Sequence, residues 1–150
     1  ARRVLRALEL AGLRPTRAQV RVQDEDAGLF TGVDLLCKRG GRFVIVEIKC
    51  GFSRPGVYDA SCGRMLGCLS DLTDCPRNQH AAQTAVTLHL FQKTYPDEPA
   101  PDAVVLRVSD DGVHLHPVPP ALIRRAPAIV AAVSAARGRV RPGSQGARRR

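Results

Sequence analysis

The chain has 150 residues, 44% hydrophobic and 25% charged, the make-up of one ordinary globular domain, which excludes a chain disordered throughout. Its longest uncharged and largely apolar run, Ala126 to Ala136, falls far short of the ~20 residues of a membrane span, so no membrane partner is expected. Twenty-three basic residues, 20 of them Arg, against 14 acidic ones give a net charge of +9, which favours a polyanionic partner because neutralised phosphates release counterions.

Aromatics at 4% disfavour a stacking platform for single strands. The five cysteines, Cys37, Cys50, Cys62, Cys68 and Cys75, are an odd set without C-x-x-C spacing. With no secretory pattern at the N-terminus, they read as free thiols in an intracellular, reducing compartment, the nucleus included for a eukaryotic or viral source. Cys62, Cys68, Cys75 and His80 could surround zinc, but with looser gaps than zinc motifs use.

In chain order, residues 1–14 read as a helix with Val4, Leu8 and Ala11 on one side and Arg2, Arg6 and Glu9 on the other, ended by Pro15. Residues 18–23 alternate as a half-buried strand, and the acidic Asp24, Glu25 and Asp26 read as a turn. From Thr31 to Gly51, two β-rich runs flank Gly40-Gly41, a two-residue hairpin signal. Residues 51–77 show little periodicity and read as a long connection with a short helical turn. Asn78 to Tyr95 reads as a helix apolar around most of its circumference, hence packed into a core. A second hairpin is expected around Asp110-Asp111-Gly112, with His114 and His116 pointing outward together, then a helix from Pro120 to Arg137 kinked at Pro127. The expected architecture is α/β, a central mixed sheet flanked by helices. Residues 1–136 form the domain and 137–150 a basic, disordered tail.

The hairpin carries the chemistry. With Gly40-Gly41 as the turn, Leu36 faces Ile45 and Asp34 faces Glu47, and alternation puts Asp34, Leu36, Ile45, Glu47 and Lys49 on one face. Two carboxylates ~4.5–5.5 Å apart at the β-carbon repel. A hard divalent cation held by Asp34, Glu47 and the backbone carbonyl of Ile48 relieves that repulsion, with Lys49 orienting an attacking water.

Asp34, twelve residues, then Glu47-Ile48-Lys49 at the end of an apolar strand resembles the PD-(D/E)XK nuclease superfamily, with Val33-Asp34 in place of the usual Pro-Asp. Asn78-Gln79-His80-Ala81-Ala82-Gln83 resembles the Q-x-x-x-Y motif of its RecB-like and phage- or virus-type exonuclease branch, with Gln83 where Tyr is usual. The resemblance implies a restriction-endonuclease-like αβββαβ core and a Mg²⁺-dependent deoxyribonuclease, Mn²⁺ substituting. It implies Asp34, Glu47 and Lys49 as catalytic residues and Gln79 and Gln83 as substrate contacts. It also implies a role in replication, recombination or repair of a virus or mobile element. Glu9 stands where the first helix donates a further metal carboxylate in some members, and the residue-level alternative is an ion pair with Arg2 or Arg6. The alternative function is a catalytically inactive nuclease fold that binds nucleic acid or acts as a scaffold, and a protein partner or second copy stays open. A third reading, a basic interaction module without nuclease ancestry, predicts that Asp34 and Glu47 do not converge.

Overall fold

The computed structural model describes residues 2–51, 54 and 56–139. Helix α1 (Arg2–Leu10) leads into three strands, β1 (Arg14–Asp24), β2 (Leu29–Arg39) and β3 (Arg42–Cys50). Short 3₁₀ turns at Val57–Asp59 and Gly67–Leu69 precede helix α2 (Pro76–Thr94), after which come β4 (Asp102–Ser109), β5 (Gly112–Pro117) and helix α3 (Pro120–Arg139). The five strands make one sheet in the order β1-β2-β3-β4-β5. Neighbours are antiparallel except β3 and β4, which run parallel because α2 carries the chain back between them. The expected α/β class with a central mixed sheet is the observed one. Among the described residues no helix is long and apolar enough to cross a membrane.

The run Val44-Ile45-Val46 is buried on both sides because β3 is central in the sheet. Leu8 and Leu13 meet Cys37, Val44, Val46, Val104 and Leu106 on one face, under α1. On the other face Leu36, Ile45 and Val105 pack with Ala82, Ala85, Leu88 and Phe91 of α2 and Leu122 and Ala126 of α3. Helix α2 therefore has apolar neighbours on two sides, the sheet and α3, which is why its sequence shows no narrow apolar stripe. Its buried Thr84 and Thr87 satisfy their hydroxyls on the carbonyls of His80 and Gln83, at 2.7 and 3.1 Å.

Pro127 lies inside α3, as read from the sequence. The helix continues past the expected domain boundary at residue 136, with Arg137 donating to the Gly28 carbonyl at 3.0 Å. The tail expected at 137–150 lies, from residue 140 onward, outside the described residues. In the connection, Arg64 and Thr73 form an isolated bridge. The cysteines are free, Cys37 and Cys75 buried and Cys50, Cys62 and Cys68 exposed. Burial pushes the Cys37 thiol up to about 11.

Candidate active site

Gly40 and Gly41 are both left-handed, at φ 56° and 82°, the signs a type I′ turn requires. The ladder then closes in the expected register, from Arg39↔Arg42 through Leu36↔Ile45 to Leu35↔Val46. It stops one pair short of Asp34 and Glu47. In such a hairpin residues 39 and 42 exchange backbone bonds, as do 37 and 44 and then 35 and 46, so 33 and 48 would be next. Instead the Ile48 N–H donates to Asp34 Oδ2 at 2.9 Å. An aspartate side chain thus replaces a peptide carbonyl and lies in the seam where β2 and β3 part. The N–H and C=O of one strand residue point the same way, so the Ile48 carbonyl also faces this seam.

The shared face expected for the five hairpin residues is corrected at Asp34. Leu36 packs on the α2 side, Leu35 and Cys37 pack on the α1 side, and Val33 packs on the α2 side again. The period-two alternation of β2 therefore changes phase at Asp34, whose carboxylate points along the sheet toward Ile48 rather than standing on a face.

Glu47 does stand on the α2 face and is 5% exposed. Its Oε1 accepts from Lys49 Nζ at 2.9 Å and from Gln83 Nε2 at 3.0 Å, and Lys49 also donates to Gln83 Oε1 at 2.9 Å. The resulting triangle ties β3 to α2. Among the described residues, Glu47 Oε2, which is buried, has no hydrogen-bond partner. Burial pushes the Glu47 carboxyl above the usual range, the Lys49 hydrogen bond pulls it back, and the nearby charge of Asp34 pushes it up again. The two acids thus sit close enough to feel one another, on either side of Ile48. Part of the repulsion assigned from sequence to a metal is relieved by the protein itself, through Lys49 on Glu47 and a peptide N–H on Asp34.

The remaining expected residues are placed unequally. Gln83 joins the triangle, while Gln79, one turn earlier and exposed, donates to Asp74 Oδ1 at 2.7 Å in the preceding connection. Glu9 is exposed on α1, which covers the opposite face of the sheet, so it does not join Asp34 and Glu47. Asp24, expected in the turn, is instead the last residue of β1, paired with Leu29, and its side chain accepts from the Ala27 N–H at 3.2 Å within the turn that follows.

Sequence reasoning missed the neighbourhood contributed by the 51–77 connection. Tyr58, on its first 3₁₀ turn, is buried with its hydroxyl 3.3 Å from His80 Nδ1 and its ring 5.2 Å from the His116 ring. The Arg107 guanidinium lies over the same ring at 5.2 Å, and Arg107 is the β4 neighbour of Lys49. Burial first, and the Lys49 charge second, hold His80 below the usual imidazole range. His116 lies under Tyr58 rather than pointing outward, with Nδ1 3.1 Å from an Arg77 nitrogen. Arginine only donates, so His116 Nδ1 is the accepting atom of that contact.

Among the described residues no group of three or more His, Cys, Asp or Glu side chains could hold a metal. The set expected here has two carboxylates and a carbonyl, all hard oxygen donors of the kind Mg²⁺ takes with water completing its shell. The orphaned Oε2 of Glu47 is the point in the site that a cation or a proton would satisfy. In donor chemistry the residues fit such an ion.

No family model matches the chain, and no curated protein matches it. Among solved structures, one titled "Crystal structure of SSO0001" is similar over 89% of this chain and 55% of that one, with 14% sequence identity and a TM-score of 0.39. The chain thus spans about half the length of that protein, and a likeness of this degree carries nothing about activity.

Proposed function

We propose that the protein is a metal-dependent nuclease that hydrolyses phosphodiester bonds in DNA, of the PD-(D/E)XK kind. The observation that carries this reading is the buried, unpartnered Oε2 of Glu47 beside Lys49, with Asp34 across the seam. Asp34, Glu47 and the Ile48 carbonyl would hold Mg²⁺ or Mn²⁺, which when bound supplies an acidified water and neutralises charge at phosphorus. Lys49, steered by Glu47 and Gln83, orients the attacking water from the α2 side. Gln83 keeps the ammonium from swinging to solvent. Burial of Glu47 favours the exchange of a proton for a cation at Oε2, because each relieves the same desolvated charge. The +9 charge draws the phosphate backbone without reading sequence. A role in replication, recombination or repair of a virus or mobile element follows from the resemblance alone.

One observation favours a second reading, a nuclease-fold protein that binds nucleic acid without cutting it. Lys49 is closed into a triangle and Asp34 is occupied by a peptide N–H, so protein donors already hold much of the acid set. Labelled linear and circular DNA with Mg²⁺ or Mn²⁺, beside Glu47→Ala and Lys49→Ala, decides between them. Metal-dependent cutting lost in both variants is expected, and survival of the circle assigns an exonuclease. Tight, salt-sensitive binding with no cutting by wild type overturns the nuclease in favour of the second reading.

A further inference from the structure

Among the described residues Gln19 is the only non-glycine with a left-handed backbone, at φ 52°. Glycine, asparagine and aspartate tolerate that region, whereas glutamine has no local reason to adopt it. A strained residue in the middle of a strand persists only where its surroundings hold it.

Its place in the sheet is specific. The pairs on either side of it are Ala18↔Leu35 and Val20↔Val33, so the residue opposite Gln19 is Asp34. The phase change of β2 falls at that same step, with Leu35 on the α1 side and Val33 and its partner Val20 in the α2 core. A fully extended Gln19 would carry Val20 to the side that Ala18 and Leu35 occupy, and would draw Asp34 back into regular alternation. The Gln19 side chain crosses toward the same acid, its Nε2 3.3 Å from Asp34 Oδ1. Its Oε1 stands 3.6 Å from the position a Cβ would take on Gly32, so the amide lies across a bare glycine.

We infer that Gln19 is a positioning residue for Asp34: its left-handed kink turns the carboxylate into the β2–β3 seam and onto the Ile48 N–H, and its amide flanks the other carboxylate oxygen. This deepens the proposed nuclease by naming what seats one of its two acids, and so rests on that reading only for its catalytic meaning. The seating itself is measurable without metal or DNA, because the Ile48 amide reports it.

The experiment is hydrogen exchange of the Ile48 amide by NMR in wild type, Asp34→Ala, Gln19→Gly and Gln19→Val, with Mn²⁺ affinity by calorimetry alongside. Glycine accepts the kink and a β-branched residue opposes it. Asp34→Ala and Gln19→Val are expected to speed Ile48 exchange by about ten-fold or more, the size of a lost hydrogen bond to a charged group. Gln19→Gly is expected to stay within about three-fold of wild type. Mn²⁺ affinity is expected to follow the same order. Should Gln19→Val fail to fold, Gln19→Ala against Gln19→Gly puts the same question with a smaller penalty. A folded Gln19→Val or Gln19→Ala variant that protects Ile48 as wild type does overturns the inference, as does Gln19→Gly losing as much protection as Asp34→Ala. Wild type that binds no Mn²⁺ while the exchange pattern holds overturns the metal reading and leaves the positioning role standing.

Discussion

A buried carboxylate with one satisfied oxygen and one orphan makes Glu47 the residue on which stability and function pull in opposite directions. Its carboxyl is raised above an ordinary value of about 4.3. In the unfolded chain it titrates normally, so between the two values the folded state holds a proton that unfolding releases. The stability it contributes is therefore full below pH ~4.3 and is lost as pH rises through the raised folded value. Glu47→Gln removes that loss. It is expected to be more stable than wild type at pH 7 by about 1 kcal/mol, with the difference closing as pH falls toward about 4. Lys49→Ala acts the other way, because it strips the donor that pulls the Glu47 carboxyl down. It is expected to cost about 1–3 kcal/mol at pH 7 and much less at pH ~4. Urea denaturation across that pH range checks both. A Glu47→Gln variant less stable than wild type at pH 7 would mean that the Lys49 and Gln83 bonds outweigh the desolvation.

At the scale of elements, the β2–β3 hairpin is set by its turn, since every pair from Arg39↔Arg42 to Leu35↔Val46 follows from where Gly40 and Gly41 bend. Gly41→Ala forces a side chain into φ 82° and is expected to cost about 1–2 kcal/mol in urea denaturation. An unchanged midpoint would show that the strands, not the turn, hold the register. This hairpin was legible in sequence because glycine pairs announce left-handed turns and the flanking runs are β-rich. Glu47 and Lys49 followed from it by period-two alternation, whereas Gln83 entered only through the resemblance of residues 78–83 to the Q-x-x-x-Y motif, which named Gln79 as well. Asp34 was placed at the right end of the hairpin but with the wrong orientation, because alternation carries no sign of a kink and glutamine in the left-handed region has no sequence signature. The 51–77 connection stayed opaque for a related reason. Its two 3₁₀ turns are too short to show a period, so nothing in sequence links Tyr58 to His80 and His116. Glu9 is exposed, as its place on the polar side of the first helix predicts, and only the metal role implied by the resemblance falls, because spacing along a helix does not say which face of the sheet the helix will cover.

Over the whole molecule, the acidic residues are too few to answer the basic ones, and several are already used. Arg39, Arg77, Arg107 and Arg125 pair with Asp102, Asp59, Asp111 and Asp71. Arg14, Arg17 and Arg21 stand exposed along β1, at one edge of the sheet, where charge also discourages pairing with another chain. Arg141, Arg148, Arg149 and Arg150 add four more cations at the C-terminal end of the chain. If these groups meet a nucleic-acid backbone, each phosphate neutralised steepens the fall of log affinity with log salt by about 0.9. Binding through six phosphates then loses roughly a thousand-fold between about 50 and 200 mM salt. The expected result by fluorescence anisotropy is such a steep slope on duplex DNA of any sequence. A chain ending at Val140 is expected to show a slope shallower by up to about 3.6, four phosphates at about 0.9 each. An equal slope in the two chains would place the contacts on the folded domain, with the β1 edge as the next set to neutralise. Affinity indifferent to salt in both would remove the polyanion reading that the composition first suggested.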